Sequence, residues 1–375
     1  MSVARDASSL SLEGSPSALV ESELLLLLGS GGVGKTTCSA ALALCAAHHG
    51  RRVLLLTIDP AQRLAAALGT ESIAGSPMPL EGAPGLEVAT LDRRAVSDAL
   101  VRRHAPSAAV AEEILSDRLY QAFSGRLAGV QEYMAAVEIE AQLRRSVYDL
   151  VIVDTPPSQH ALDLLDGPKR LQRALSSPAL SWLQGGWRQG GAQLALKALA
   201  RVSAVEFLDE LNRFLQLFSQ VLRGLEVDSG ALIERLRSPH AQSVLIATTR
   251  KSTLEAALLT ERALQDRGLG ASLLVMNRSP YPLSPWSTEK ERSASALLET
   301  LYPAQEVDEI LSFWRKESQA QARQRATLRA AFNALPPLVE LRQRGDGLPS
   351  HEALRALAMP LWEALTEGQR KLSKR

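Results

Sequence analysis

The sequence predicts an α/β protein built on a doubly wound, mostly parallel β-sheet, with a helical subdomain inserted at the strand ends. Two observations carry this prediction. Short, continuously apolar runs recur along the chain, which is the pattern of strands buried on both faces of a parallel sheet. Helical patterns separate these runs, as right-handed crossover connections require. The 375 residues, 46% of them hydrophobic, can bury such a sheet together with an elaboration.

The predicted strands are six short runs of apolar residues. They lie at residues 24–28, 52–58, 86–91, 150–153, 244–248 and 273–276. The run at 86–91 is the weakest of the six. Residues 335–338 fit either a loop or an edge strand.

The predicted helices alternate with these strands. Residues 36–49 are Ala-rich, and Gly50 stands where the end of a helix favours glycine. Three later helical patterns lie at residues 252–267, 287–333 and 351–366. We expect Pro303 to break the second of these.

Two long intervals of helical pattern contain no convincing strand, and we expect them to form one inserted subdomain. These intervals are residues 93–147 and 162–239. The second contains an apolar stripe at helical spacing over residues 207–222, which is typical of ordinary core; the alternative is a surface that binds an apolar client helix. The remaining segments, 21–92, 148–161 and 240–368, make up the predicted sheet domain. Residues 1–20 are Ser-rich and expected to be flexible, and 369–375 form a basic, solvated tail.

Composition limits the possible partners and compartments. The formal charge of +1 gives no electrostatic reason to expect nucleic acid or an anionic membrane as a partner. Two cysteines, Cys38 and Cys45, exclude a disulfide framework and indicate a reducing compartment. The first residues lack the pattern of a signal peptide, and the apolar run at 24–28 is far shorter than a membrane span. We therefore expect a soluble, cytoplasmic protein without a transmembrane segment.

A phosphate-binding loop is predicted between the first strand and the first helix. Its residues match G-x-x-x-x-G-K-[ST] and are Gly29, Ser30, Gly31, Gly32, Val33, Gly34, Lys35 and Thr36. Glycines let successive backbone N–H groups surround phosphate oxygens, and the helix N-terminus adds positive potential. We expect Lys35 to reach the β- and γ-phosphates of ATP and Thr36 to bind Mg²⁺, with further hydrogen bonds from Ser30 and Thr37. The alternative is a glycine-rich turn with an incidental lysine.

Two aspartates follow predicted strands at the edge where open α/β sheets bind ligands. Asp154 comes directly after an apolar strand and has the pattern of a Mg²⁺-binding carboxylate, often acting through a water. Asp59 precedes Pro60, which ends the strand before it. A carboxylate at that place can orient or deprotonate the water that attacks the γ-phosphate. The alternative for either residue is a helix N-cap, a position that favours Asp.

At these motifs the chain resembles the ArsA family, which includes arsenite-pump ATPases and the eukaryotic ATPase that delivers tail-anchored membrane proteins. The matching residues are 31–37, 59–61, 154–160, which fit D-T-[AP]-P-[ST]-x-H, 275–278 and, more weakly, 336–338. The resemblance implies a P-loop NTPase fold of the deviant Walker A group, in the SIMIBI class. It also implies a bacterial-type member with a single ATPase domain.

The resemblance implies further roles for individual residues. Residues 59–64 would act as switch I, with Asp59 on the attacking water, and residues 154–160 as switch II, with Asp154 on hydrated Mg²⁺. Asn277 would bond the adenine edge, or it could simply end a strand. The loop at Pro336 and Pro337 would flank the base. His160 would either couple switch II to the helical subdomain or pack there.

The chain departs from the family pattern at the second loop position. The family usually has a lysine there that reaches the phosphates of a dimer partner, and this chain has Ser30. Loss of such a cation can slow hydrolysis by orders of magnitude. We therefore expect either a slow homodimer or a heterodimer whose partner supplies the lysine. Arg63, in switch I, is another candidate cation, or it is an ordinary surface charge.

Cysteine and methionine content also differ from the better-known members. Cys38 and Cys45 lie seven residues apart on one helix, where core packing is the expected role, and no C-x-x-C pair supports a zinc-linked dimer. Of the five methionines, Met134 alone falls in the helical intervals, so a methionine-rich client groove is not supported.

The functional hypothesis is an ATPase that acts as a nucleotide-gated dimeric switch, with ATP and Mg²⁺ as cofactors and an unidentified client or membrane partner. One alternative is an energy-coupling subunit for an anion or metalloid efflux system, which the low cysteine count disfavours. Another is a ParA/MinD-like organiser that uses ATP mainly for dimerisation. A third is a weakly active partner in a heterodimer.

Overall fold

A computed structural model describes residues 22–123, 130–157, 202–279, 288–331, 336–343 and 350–372. It contains an eight-stranded sheet in the order β3-β4-β2-β5-β1-β6-β7-β8. The strands are β1 (Leu24–Gly29), β2 (Val53–Thr57), β3 (Met78–Pro79), β4 (Leu86–Thr90), β5 (Leu150–Asp154), β6 (Ala241–Thr248), β7 (Leu273–Ser279) and β8 (Leu338–Arg342). Neighbouring strands pair in parallel except β3, which runs antiparallel to β4.

The helices alternate with the strands. They are α1 (Lys35–His48), α2 (Ala61–Leu68), α3 (Arg93–His104), α4 (Ala108–Ser116), α5 (Arg118–Phe123), α6 (Val130–Arg145), α7 (Val202–Arg237), α8 (Lys251–Gln265), α9 (Thr288–Glu299), α10 (Ala304–Ala331) and α11 (His351–Leu372). The predicted fold class, an α/β protein with a mostly parallel sheet, is confirmed.

The first strand lies at the centre of the sheet. Leu24 of β1 pairs with Val151 of β5 on one side and with Ala241 of β6 on the other. All six residues of β1 are buried, because helices cover both faces of the sheet. The loop that follows β1 therefore lies near the centre of the carboxyl edge of the sheet.

Two hydrophobic cores flank the sheet. The Ala-rich helix α1 packs with α2 and α11 against one face, and residues 40–47 of α1 are all buried. On the other face lie α8 and parts of α6 and α7, represented by Ile139 and Leu232. The sheet is thus sandwiched between two helical layers.

A third core joins α3, α4, α5, α6 and α7 away from the sheet. Its buried side chains include Leu100, Ile114, Val137 and Phe214. Because α6 and α7 also contribute to the core on the sheet, the two cores are continuous through these helices. The division of the chain into a sheet domain and an inserted subdomain stays a prediction. Helices α6 and α7 contribute side chains to both of these cores.

A buried ionic cluster connects three helices of this region. Asp228 of α7 is fully buried and lies 3.0 Å from Arg103 Nη1, 2.9 Å from His104 Nε2 and 3.0 Å from Arg144 Nη1. Arg144 also contacts the buried carboxylate of Glu140 at 2.8 Å. These contacts tie α3, α6 and α7 together, and we call them the Asp228 cluster.

The main differences from the predicted elements are at the edges. The two-residue strand β3 was not predicted, because two residues are too short to show alternation. Residues 338–342 form the edge strand β8, so Leu338 of the ambiguous segment begins a strand, whereas residues 336 and 337 precede it without regular secondary structure. Pro303 separates α9 from α10, as predicted. Among the described residues, none of the helices has the length and apolar character needed to cross a bilayer.

Candidate functional site

The loop between β1 and α1 presents an uncapped helix N-terminus. Gly34 is the N-cap residue of α1 in the left-handed conformation, with φ 96°, and no side chain caps the helix. By contrast, the Asp92 side chain caps α3 by accepting from Arg94 N and Ala95 N. The first amides of α1 are therefore left for another acceptor, and the helix dipole favours an anion there.

Two glycines allow the loop to sit against the ends of neighbouring strands. A Cβ at Gly29 would lie 2.4 Å from the Ile246 carbonyl oxygen of β6, and one at Gly34 would lie 2.3 Å from Asn277 Nδ2 of β7. Both distances are far below van der Waals contact. The packing explains why these two motif positions require glycine.

Lys35 is held at the loop by its own backbone. Its Nζ donates to the carbonyl oxygens of Gly29 at 3.0 Å and Ser30 at 3.1 Å. Burial lowers the pKa of Lys35, and the nearby charges of Asp154 and Asp59 oppose that effect. The ammonium group is thus confined to the place where bound phosphates would meet the loop.

Asp154 ends β5 and is fully buried beside the loop. Its carboxylate accepts from Thr36 Oγ1 at 2.8 Å, Thr57 Oγ1 at 3.2 Å and Ser39 Oγ at 3.3 Å. Burial raises the pKa of Asp154, although the hydroxyl donors and the charge of Lys35 act in the opposite direction. The carboxylate is therefore surrounded mostly by neutral donors.

Asp59 follows β2, with 14% of its side chain exposed, and its carbonyl oxygen lies 3.3 Å from the Thr57 hydroxyl that contacts Asp154. It pairs with Arg63, four residues later in the first turn of α2, at 2.5 Å. The Arg63 side chain is 63% exposed. Both charges influence the pKa of Lys35, so the pair lies close to the loop.

The segment after Asp154 also contacts the loop. Thr155 Oγ1 donates to the Leu27 carbonyl of β1 at 2.6 Å, which fixes the start of the predicted switch II. Pro157 lies beside Gly31, with its Cγ 4.0 Å from the position of an added Cβ. The remainder of that motif, including His160, lies outside the described residues, so its two predicted roles stay open.

Asn277 braces the loop from β7. Its Nδ2 donates to the Val33 carbonyl at 2.8 Å, and its Oδ1 accepts from Arg278 N at 2.9 Å. The side chain is thus placed beside the loop, and an adenine contact by Asn277 stays a prediction.

Pro337 does not belong to this site. It precedes β8, and its carbonyl accepts from Leu274 N at the start of β7. Because β7 and β8 are parallel, Pro337 lies at the amino edge of the sheet, whereas Asn277 and the loop lie at the carboxyl edge. The prediction that Pro337 flanks the base is therefore corrected. β8 reaches the carboxyl edge after Arg342, and the next residues, 344–349, lie outside the described residues.

The residues present fit a magnesium–triphosphate group. The Ser30 Oγ is buried and has no hydrogen-bond partner among the described residues, so it is free to bond a phosphate oxygen. The Thr36 hydroxyl and the Asp154 carboxylate lie together at the start of α1, and both are hard oxygen ligands of the kind Mg²⁺ prefers. Thr37 lies half-buried in the first turn of α1.

Two hydroxyls of the site were missed from the sequence. Thr57 stands two residues before Asp59 at the end of β2, which was a usable signal for a side chain at this edge. Ser39 lies one helical turn after Lys35 and also donates to its carbonyl at 2.9 Å. No local pattern marks Ser39, because its role depends on how closely α1 approaches β5.

The family comparison agrees with this geometry. A family model described as an anion-transporting ATPase, of the ArsA type, matches residues 22–189.

Over residues 22–189 the chain is therefore similar to the ArsA-type ATPases. An uncharacterized protein of Streptomyces coelicolor is 31% identical over 68% of this chain and 62% of its own length. The ATPase GET3 of Phaeosphaeria nodorum is 31% identical over 49% of this chain and 60% of its own, and the ATPase GET3A of Arabidopsis thaliana is 30% identical over 40% and 39%.

The chain therefore covers less than two thirds of each of these relatives. The family model ends before α7, so it covers β1 to β5, the phosphate loop and both site aspartates. The family-model match thus includes the candidate site except Asn277.

Proposed function

We propose that this chain binds ATP at residues 29–36 and hydrolyses it in the presence of Mg²⁺. One observation carries the proposal. The hydroxyl of Thr36 and the buried carboxylate of Asp154 lie 2.8 Å apart at the uncapped N-terminus of α1. A buried carboxylate among neutral donors is costly without a cation, and a phosphate-bound metal would supply one.

The backbone amides of residues 30–36 would hold the phosphates, with Ser30 Oγ as an additional donor. Lys35 would exchange its two carbonyl acceptors for the β- and γ-phosphate oxygens. That exchange needs little movement, because Nζ already lies within hydrogen-bond distance of the loop backbone. Burial of Lys35 strengthens its attraction to phosphate, since little water screens the charge.

Thr36 and Asp154 would hold Mg²⁺, which when bound neutralises part of the charge on the phosphates. Thr57 and Ser39 keep the Asp154 carboxylate oriented toward Thr36 through their hydroxyls. These two residues therefore act by positioning Asp154.

Asp59 would orient the attacking water and accept its proton. The water oxygen forms a bond to the γ-phosphorus as the bond from that phosphorus to the β–γ bridging oxygen breaks, leaving ADP and phosphate. The Asp59 side chain is mostly buried, and its charge acts on Lys35 of the loop by opposing the fall in the pKa of that residue, which supports this assignment.

The test is turnover and ATP binding in three variants. Lys35→Ala should weaken binding and abolish turnover, because it removes the phosphate contact. Asp59→Asn should bind ATP normally and lose turnover by at least about 100-fold. Asp92→Asn is the matched control, since it alters an exposed aspartate after β4 while keeping a residue that caps a helix well. Equal turnover in the wild type and in the Lys35 and Asp59 variants would refute the proposal.

We further propose that two copies close around ATP, as a homodimer or with a related ATPase, and pass the change to a client or membrane partner. The sequence has one phosphate loop per chain, and Ser30 leaves the second loop position without the family's cation. Solution mass with and without a non-hydrolysable ATP analogue tests the homodimer. A mass of one chain under both conditions points to a heterodimer partner or contradicts the switch.

Soft-ligand metalloid coupling has little support in the structure. Cys38 and Cys45 are buried in α1, and burial raises the pKa of Cys38 to about 12 and that of Cys45 to about 11. Such thiols are poor ligands at neutral pH. Capture of partners with the Asp59→Asn form, which should trap ATP, is the direct approach to the client.

A further inference from the structure

The loop carries a single cationic side chain, Lys35, because its second position is Ser30. Charge develops on the phosphoryl oxygens during transfer, and an additional cation commonly accelerates the reaction strongly. A second cationic side chain of the same chain could stabilise this charge if it lay close to the phosphate loop.

Arg63 is placed in an electrostatically unfavourable position for a simple surface residue. It lies in the first turn of α2, which begins at Ala61, and its N donates to the Pro60 carbonyl at 3.1 Å. A helix N-terminus favours negative charge, so a cation there opposes the helix dipole. Its ion pair with Asp59 offsets this disadvantage.

The charge of Arg63 acts at the phosphate site. Thr57 Oγ1 lies 3.2 Å from the Asp154 carboxylate and 3.3 Å from the Asp59 carbonyl oxygen, so the backbone of Asp59 lies beside the site, and the charges of Asp59 and Arg63 shift the pKa of Lys35 in opposite directions. The guanidinium is 63% exposed and the carboxylate 14% exposed, so Arg63 is the solvent-accessible member of the pair.

Exchanging Asp59 for a phosphate group would cost Arg63 little free energy. An exposed ion pair changes an equilibrium by about fivefold at most, because solvent screens it and the long side chain loses entropy. A terminal phosphate offers more negative charge than one carboxylate, and its oxygens accept two parallel N–H bonds from a guanidinium. Bound ATP should therefore draw Arg63 away from Asp59.

We propose that Arg63 is a catalytic residue that leaves Asp59 when ATP binds and stabilises the γ-phosphate from within the same chain. The inference rests on the proposed ATP hydrolysis. One movement would have two effects, since it brings a cation to the phosphate and frees the Asp59 carboxylate for the water. Without nucleotide, the Asp59–Arg63 pair keeps the base occupied.

Arg63→Ala tests the proposal, with Arg52→Ala as a matched control. Arg52 also forms an exposed pair with an aspartate, at 2.7 Å from Asp149, but it lies at the amino end of β2, away from the loop. We expect Arg63→Ala to lower kcat about 10- to 100-fold with less than a threefold change in the Kd for Mg-ATP. Arg52→Ala should leave both values within twofold of the wild type.

Two further variants separate catalysis from folding. Arg63→Lys keeps the charge without the planar donor pair and should retain an intermediate kcat. Ser30→Lys, which in a homodimer would bring a cation to the partner's phosphates, should raise kcat at least tenfold more in Arg63→Ala than in the wild type, whereas a purely structural defect at Arg63 would give the same gain in both. Unfolding temperatures measured alongside show whether each variant is folded.

An Arg63→Ala enzyme with wild-type or higher kcat overturns the inference, since Arg63 would then be a surface charge or only a restraint on Asp59. An equal gain from Ser30→Lys in the wild type and in a folded, dimeric Arg63→Ala protein overturns it as well. Failure of the wild-type chain to hydrolyse ATP is a different result, because it refutes the proposed function and this inference together.

Discussion

Two aspartates of this chain, Asp154 and Asp228, are equally buried but have opposite surroundings. Both side chains are fully shielded from solvent. Asp228 lies against three basic side chains, at 2.9 to 3.0 Å. Asp154 instead accepts from three hydroxyls, and the ammonium of Lys35 bonds backbone carbonyls.

The difference separates a structural carboxylate from a functional one. The charge of Asp228 is balanced within the protein, so the residue can hold α3, α6 and α7 together without a ligand. The charge of Asp154 is not balanced by a cationic side chain at close range, as expected of a carboxylate that binds a metal ion. The same burial therefore supports stability in one place and binding in the other.

The largest expected effect is loss of stability when Asp228 becomes neutral. Asp228→Asn leaves Arg103, His104 and Arg144 without their shared counter-ion. We expect the free energy of unfolding to fall by about 3 kcal/mol, the low end for a broken buried pair, because the two guanidinium groups are 37% and 42% exposed. Chemical denaturation measures this value. An unchanged midpoint would mean that the Asp228 cluster contributes nothing net.

The same substitution at Asp154 should act in the opposite direction. Asp154→Asn removes an uncompensated buried charge, so we expect the ligand-free protein to gain roughly 1–3 kcal/mol at neutral pH. It should also lose the stabilisation that Mg-ATP gives the wild type. Thermal unfolding of both proteins, with and without Mg-ATP, is the measurement. A destabilised Asp154→Asn protein would contradict the comparison.

The pH dependence of that gain has a definite sign. Because burial raises the pKa of Asp154, the folded chain holds this proton to higher pH than the unfolded chain. The favourable contribution is fully present below the ordinary Asp pKa of about 3.9 and is lost as pH rises through the raised value. The advantage of Asp154→Asn should accordingly be larger at pH 7.5 than near pH 4.

A smaller effect tests how tightly the Asp228 cluster is packed. A Cβ at Gly224 of α7 would lie 2.1 Å from the His104 ring, whereas one at Gly230 of the same helix would meet nothing within 4 Å. Gly224→Ala should push the His104 ring from its place beside Asp228 and destabilise by about 1–2 kcal/mol. Gly230→Ala should stabilise by about 0.5–1 kcal/mol through helix propensity. Equal effects in denaturation would show that His104 moves aside freely.

The residues around the phosphate loop, including Asp154, could be predicted from the sequence, whereas the Asp228 cluster could not. The phosphate loop, Asp59 and Asp154 are recognisable because each follows a buried strand at a fixed place in a motif. Asp228 lies inside a helix of 36 residues, and its three partners come from two distant helices, so no local pattern marks it. Three-dimensional packing alone brings these charges together.

Within the site, the error at Pro337 has a similar cause. The motif at Pro337 matched the family pattern only weakly. The loops before and after β8 are separated by a strand of five residues and lie at opposite edges of the sheet, so a small shift in the match changes the predicted edge. The two-residue strand β3 was missed because it is too short to show a period. Hydroxyl contacts such as that of Ser39 depend on the distance between α1 and β5, which sequence periodicity does not specify.

The central place of β1 has a consequence for synthesis on the ribosome. This strand is made first among the eight, yet its neighbours begin near residues 150 and 241, and the amide that braces Val33 belongs to Asn277. In a nascent chain this strongly apolar segment therefore has neither sheet neighbour until residue 150 has been made, and lacks the second until residue 241. We expect ATP affinity to arise late, when β7 has left the exit tunnel, and the growing chain to depend on protection from aggregation until then.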